Sequence, residues 1–155
     1  PAGVAHARVT AVMPVPCERA FDLLHDYGRR LEWDTLLRAA RLDGAEHAGV
    51  GAVAVCTARR LLGGYSFRTR YVTFRRPTLA AVTLVRPAPF FARWSASARH
   101  RPRPDGTSEL IYTMTFTCRP QWARRLVEPL ALAAFRLETG RRLRALAAFL
   151  ATERD

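Results

Sequence analysis

The chain has 155 residues, 49% apolar and 25% charged, a balance that suits one folded domain burying its own core without metal or disulfide staples. That apolar share excludes a disordered chain, and the longest apolar run, Leu130-Ala-Leu-Ala-Ala-Phe135, is far too short for a membrane-spanning helix. The formal net charge of +12 invites a nucleic-acid reading, but the arginines are scattered along the chain and form no single basic block.

Residues 6–13 alternate Ala7, Val9, Ala11 and Met13 against His6, Arg8 and Thr10, which predicts a first strand. Pro14 and Pro16 stop it, since proline cannot donate to a ladder. Pro16-Cys17-Glu18-Arg19 opens a helix carrying Ala20, Phe21, Leu23, Leu24 and Tyr27, and Gly28 is its natural stop. A second short helix is expected over residues 30–37.

From there the period becomes two. Residues 38–42 and 50–58 read as strands separated by Asp43-Gly44 and Gly49-Val-Gly51. Gly63-Gly64 signals a hairpin, followed by a strand over 65–74 with Tyr65, Phe67, Thr69 and Tyr71 on one face and Ser66, Arg68 and Arg70 on the other. Residues 78–85 form another strand, bounded by Pro77 and Pro87. Residues 93–101 set Trp94, Ala96, Ala98 and His100 against serines and arginines. Past the turn Pro102-Arg-Pro-Asp-Gly106, residues 108–118 align Leu110, Tyr112, Met114, Phe116 and Cys118. Strands joined by short turns without helices are antiparallel.

From Trp122 a long helix is predicted, interrupted at most at Pro129 and Gly140. One stripe is Leu126, Leu130, Ala133 and Leu137, and a second is Leu143, Leu146, Ala147 and Leu150. Residues 130–135 are apolar on every side, which points to enclosure. The order β-α-α-β6-α describes one α+β domain over residues 1–155, with a curved antiparallel sheet around a long C-terminal helix.

All 25 basic residues are arginine, lysine and asparagine are absent, and Ile111 is the sole isoleucine. This bias against AT-rich codons marks a GC-rich, bacterial-type genome, so only the excess of positive charge carries physical content. An anionic membrane or an acidic partner remains open for it. Cys17, Cys56 and Cys118 are odd in number and widely spaced, which favours reduced thiols buried in a cytoplasmic protein over secretion with one disulfide. No secretory signal is read at the N-terminus.

The strand–proline–helix beginning Pro16-Cys17-Glu18-Arg19-Ala20-Phe21, the stretch from Tyr27 through Trp33-Asp34, and Asp105-Gly106-Thr107 before the last strand and terminal helix together resemble the START/pollen-allergen helix-grip superfamily (SRPBCC). Within it the chain is most similar to the polyketide cyclase/dehydrase-like families. The resemblance covers the whole chain and implies a cavity between sheet and helix. Members bind lipids, polyketides, sterols or hormones there, and some are cyclases or dehydratases.

The expected concave face supplies Phe67, Tyr71, Trp94, Tyr112, Met114 and Phe116 as a ligand pocket, with Trp33 near the mouth and Leu130, Ala134 and Leu137 from the helix. Tyr71 and Tyr112 are candidates to hydrogen-bond a carbonyl or enolate, and His100 is a candidate proton carrier, although its place at a strand end favours a solvent-facing ring. Asp26, Glu32, Asp34 and Arg38 are expected as a polar rim or as solvated helix-end charges. There is no HExxH, P-loop or GxSxG, so no metal, cofactor or covalent nucleophile is called for. Three functions follow: a carrier or sensor of a hydrophobic small molecule, a polyketide cyclase, aromatase or dehydratase using acid–base groups deep in the same cavity, and a basic protein- or membrane-associated module.

Overall fold

The computed structural model describes residues 4–88 and 90–153. Seven strands form one antiparallel sheet: β1 (Ala5–Met13), β2 (Leu37–Asp43), β3 (Val53–Ala58), β4 (Ser66–Arg75), β5 (Leu79–Leu84), β6 (Phe91–Pro102) and β7 (Ser108–Cys118). Their spatial order is β1-β7-β6-β5-β4-β3-β2, so all neighbours from β2 to β7 are consecutive in the chain. The exception is β1, which pairs with β7, Ala7 opposite Met114 and Met13 opposite Ser108. The link from β1 to β2 therefore travels from one edge of the sheet to the other.

Helix α1 (Cys17–Leu24) lies in that link and buries Cys17, Ala20, Phe21, Leu23 and Leu24. The helix expected over 30–37 is a single 3-10 turn, Arg30–Glu32. Asp34 is the cause of the difference: its carboxylate accepts the Leu36 N–H at 3.0 Å, a local turn that competes with helical bonding and sends the chain into β2. Register shifts between Leu37 and Ala39, Tyr71 and Thr73, and Phe91 and Arg93 are bulges, and they bend the strands so that the sheet curls.

Helix α2 (Arg124–Thr152) is continuous through Pro129 and Gly140 and follows a 3-10 turn, Gln121–Ala123. Its second half inserts Leu143, Leu146 and Leu150 against Met13, Val15, Leu23, Leu24, Trp33 and Leu110. Its first half turns Val127, Ala131, Leu132 and Phe135 toward Phe91, Phe116 and Cys118. The second expected stripe, Leu143, Leu146, Ala147 and Leu150, thus faces inward, whereas the first does not. Leu126, Leu130 and Leu137 are 77%, 73% and 53% exposed, and Ala133 and Ala134 are exposed as well. Running back from Leu146 at 100° per residue, the inner face passes through Thr139, Phe135 and Leu132. Because residues 130–135 are apolar all round, hydrophobicity alone does not choose between the two faces.

Candidate functional site

Between the concave side of the sheet and the inner face of α2 lies a cavity of about 90 Å3. Strand alternation builds its walls. Tyr65, Phe67, Thr69 and Tyr71 of β4 and its approach, Trp94, Ala96 and Ala98 of β6, and Tyr112 and Met114 of β7 all line it, as the period of two requires. Small residues in the middle of β6 leave the space that larger ones would fill. Leu24, His25, Tyr27 and Arg30 reach it from α1 and the following turn, and Phe135 and Arg142 from α2.

Of the expected pocket residues, Phe67, Tyr71, Trp94, Tyr112 and Met114 meet in this lining. Phe116 is buried one layer behind it, its ring edge-to-face with Phe91 at 5.6 Å and tilted against Phe135 at 5.0 Å. Trp33 is not at a mouth. It is 5% exposed in the core beside Leu143 and Leu146, with the Arg30 guanidinium 5.1 Å above its ring. Leu130, Ala134 and Leu137 point away from the cavity, on the outer face of α2, and are corrected accordingly.

His100 is also corrected. It is 2% exposed rather than facing solvent, because β6 continues past it to Pro102 and Phe21 of α1 covers its ring at 5.4 Å. Neither ring nitrogen has a hydrogen-bond partner among the described residues. Burial pushes its pKa down to about 4, so the ring is neutral at pH 7. It does not line the cavity.

The histidine that does so is His25, which no sequence signal set apart from an ordinary helix-end residue. Its Nδ1 shares a hydrogen bond of 2.7 Å with the Tyr71 hydroxyl, which shares another of 2.9 Å with the Tyr27 hydroxyl. Burial, then the charge of Arg30, then His100 hold the His25 pKa well below its ordinary value. Burial raises both tyrosines, Tyr71 further because Tyr27 lies beside it. All three groups are therefore neutral at pH 7 and form a chain able to pass a proton. His25 and Tyr27 also border an open hollow on the outside of the molecule, so this chain forms part of the wall between cavity and solvent.

Asp34 departs furthest from its expected role. It is 1% exposed and lies between two arginines. Arg30 Nε donates to it at 2.9 Å, and Arg142 donates through Nε at 3.1 Å and Nη2 at 3.0 Å. Arg30 also donates to the Leu24 carbonyl at 2.8 Å. Burial would raise the Asp34 pKa, but Arg142 and then Arg30 overcome it and hold the carboxyl ionised, well below the usual carboxylate range. Two guanidinium groups and one carboxylate leave one positive charge at the cavity wall. The other members of the expected rim stay outside: Asp26 accepts the Gly28 N–H at 3.1 Å, Glu32 pairs with Arg29, and Arg38 is exposed.

Cys17, Cys56 and Cys118 are unpaired and buried. Cys56 lines the cavity, and burial raises its thiol pKa, so it sits there as a neutral thiol. Among the described residues no group of three or more His, Cys, Asp or Glu is placed to hold a metal ion, and no helix is long and apolar enough to cross a membrane.

Solved structures share this architecture. The Zhui aromatase/cyclase from Streptomyces sp. R1128 superposes with a TM-score of 0.78 at 16% identity, over 98% of this chain and 96% of that one. The protein TTHA0849 from Thermus thermophilus gives 0.79 at 14% over 97% and 100%, and Ara h 8.0201 gives 0.67 at 14% over 97% and 99%. At such identities the likeness is one of fold, the helix grip. No curated protein matches the sequence. Residues 4–151 do match the profile of the family described as polyketide cyclase / dehydrase and lipid transport, which spans nearly every described residue, and the chain belongs to that family.

Proposed function

We propose that the protein encloses a small hydrophobic molecule bearing an oxygen function in the cavity between sheet and α2, as a carrier or sensor. The observation behind this is the lining: aromatic and aliphatic side chains make the walls, and the polar groups that reach inward are few and close together. The Tyr112 hydroxyl, the Tyr27–Tyr71–His25 chain and the positive charge shared by Arg30, Asp34 and Arg142 suit a carbonyl, phenol or carboxylate. At about 90 Å3 the space is smaller than the ~150 Å3 apolar cavity that accepts a benzene. A molecule of more than one ring therefore needs the walls to part. Tyr65, Phe67 and Trp94, all only half-buried, are among the lining side chains with room to do so.

Titration with 1-naphthol, followed by quenching of tryptophan emission, tests this. Binding is expected, and Ala96→Leu, which adds bulk at the cavity wall, is expected to weaken it by about tenfold while the fold persists. Absence of quenching, or quenching indifferent to Ala96→Leu, overturns the proposal.

A second reading is favoured by one observation, the hydrogen-bonded chain from Tyr27 through Tyr71 to His25. In a cyclase, a base removes a proton from carbon between two carbonyls, the enolate attacks a further carbonyl, and the new alkoxide takes a proton before water leaves. The Tyr71–His25 pair closes that cycle: Tyr71 takes the carbon proton as it passes its own to the neutral His25 ring, then gives a proton to the alkoxide and is resupplied from His25. Tyr71→Phe, which removes the proton donor of this reading, separates the two. A carrier loses one hydrogen bond and at most about tenfold in affinity, whereas an enzyme loses turnover by roughly 100-fold with a synthetic poly-β-ketone. Lack of turnover in the parent protein removes the enzyme reading.

A further inference from the structure

The outer face of α2 presents an apolar stripe with no partner among the described residues. Leu126 and Leu130 are 77% and 73% exposed, and Trp122, one turn earlier, is 87% exposed. Single exposed apolar residues are ordinary, but two loops bring more to the same end. The Phe90 carbonyl accepts the Arg119 N–H at 2.9 Å, which sets the loop before β6 against the approach to α2. The Phe90 ring, in a residue 53% exposed, lies 5.8 Å from that of Tyr65. Leu61, 99% exposed, is on the turn leading into Tyr65. Such a grouping marks an interaction surface.

The charge around it has one sign. Arg59, Arg60, Arg86, Arg119 and Arg125 are all exposed, and no acidic residue occurs between Glu46 and Asp105. On the first turns of α2 the lone carboxylate, Glu128, is tied to Arg124 at 3.4 Å. The exposed acids gather at the other end of the strands. Glu18, Asp22 and Asp26 lie in or just beyond α1, whose Phe21 packs on Phe74 near the far end of β4, and Asp105 lies in the turn between β6 and β7, with the half-buried Glu109 at the start of β7.

We propose that the end bearing Leu61, Phe90, Trp122, Leu126 and Leu130 docks on the surface of an anionic lipid bilayer. Charge decides between a bilayer and a second copy. A symmetric dimer through this face sets the same arginines against each other, whereas anionic headgroups neutralise them. The arrangement also suits an interface, with an exposed tryptophan, leucines along one helix face to enter the headgroup boundary, and exposed arginines that neighbour them in the chain. The cavity lining reaches this same end through Tyr65, Ala88 and Phe91. If the cavity-binding reading holds, docking brings the ligand site to the lipid; docking itself does not depend on it.

The test is flotation with phosphatidylcholine vesicles containing about 30% phosphatidylglycerol. Binding is expected at low salt, with release near 0.5 M NaCl, and little binding to phosphatidylcholine alone. Trp33 is buried and Trp94 half-buried, so a blue shift of emission on binding reports Trp122 and disappears in Trp122→Phe. The pair Leu126→Glu and Leu130→Glu, on exposed positions, is expected to lower vesicle affinity at least about tenfold without changing the melting temperature. Arg119→Gln with Arg125→Gln weakens binding, whereas Arg101→Gln, at the opposite end, does not. No binding to the anionic vesicles, binding insensitive to the leucine pair, equal effects of the two arginine sets, or a soluble dimer that the leucine pair dissociates would each overturn the proposal.

Discussion

His100 is an imidazole sealed under Phe21 with both nitrogens unpartnered among the described residues, and its cost appears in acid. Below about pH 6.5 the unfolded chain protonates this histidine, while the folded chain resists until about pH 4. A folded pKa below the unfolded one means that stability is whole above 6.5 and falls as pH drops through that window. The loss is on the order of 3 kcal/mol once pH reaches the folded value. Urea unfolding from pH 7 to pH 4.5 measures it, and His100→Leu should flatten the decline; an unchanged slope would rule out His100 as its source. His25 has its pKa lowered in the same direction and contributes to what remains. At this scale the sequence was only partly legible. Phe67, Tyr71, Trp94, Tyr112 and Met114 followed from strand alternation, because a period of two assigns each side chain to a face. His25 and the Arg30–Asp34–Arg142 cluster were not legible, since Asp34 and Arg142 stand 108 positions apart and their meeting depends on how α2 seats.

The secondary elements were read with less loss. All seven strands and both α-helices lie near their expected places, and the main failures, the short second helix and the first stripe of α2, have local causes. Asp34 turns its own backbone out of the helix, and an all-round apolar segment carries no phase. The corrected phase is checkable. Leu146 is fully buried and Leu130 is 73% exposed, so Leu146→Ala should cost about 2–5 kcal/mol in thermal or urea unfolding. Leu130→Ala should stay within about 0.5 kcal/mol. Equal costs would mean that the helix is rotated from the position described.

For the molecule as a whole, the surplus of basic over acidic residues outweighs its surface ion pairs. Arg76 with Asp22, Arg68 with Asp43 and Arg29 with Glu153 bind across elements, but exposed pairs of this kind contribute little, whereas a net charge of +12 repels itself throughout. Sodium chloride screens both, and the repulsion is the larger loss. Raising it from about 0.02 to about 0.3 M should lift the melting temperature by about 3 °C or more; a fall would show that the pairs dominate. The uneven placing of that charge has a consequence for motion. With carboxylates gathered around α1 and the turn between β6 and β7, and none from residue 47 to 104, the protein is an electric dipole as well as a cation. In the field of a negatively charged body it experiences torque before touching it. It tumbles into one preferred attitude, so that even a brief collision presents the end where the chain enters α2.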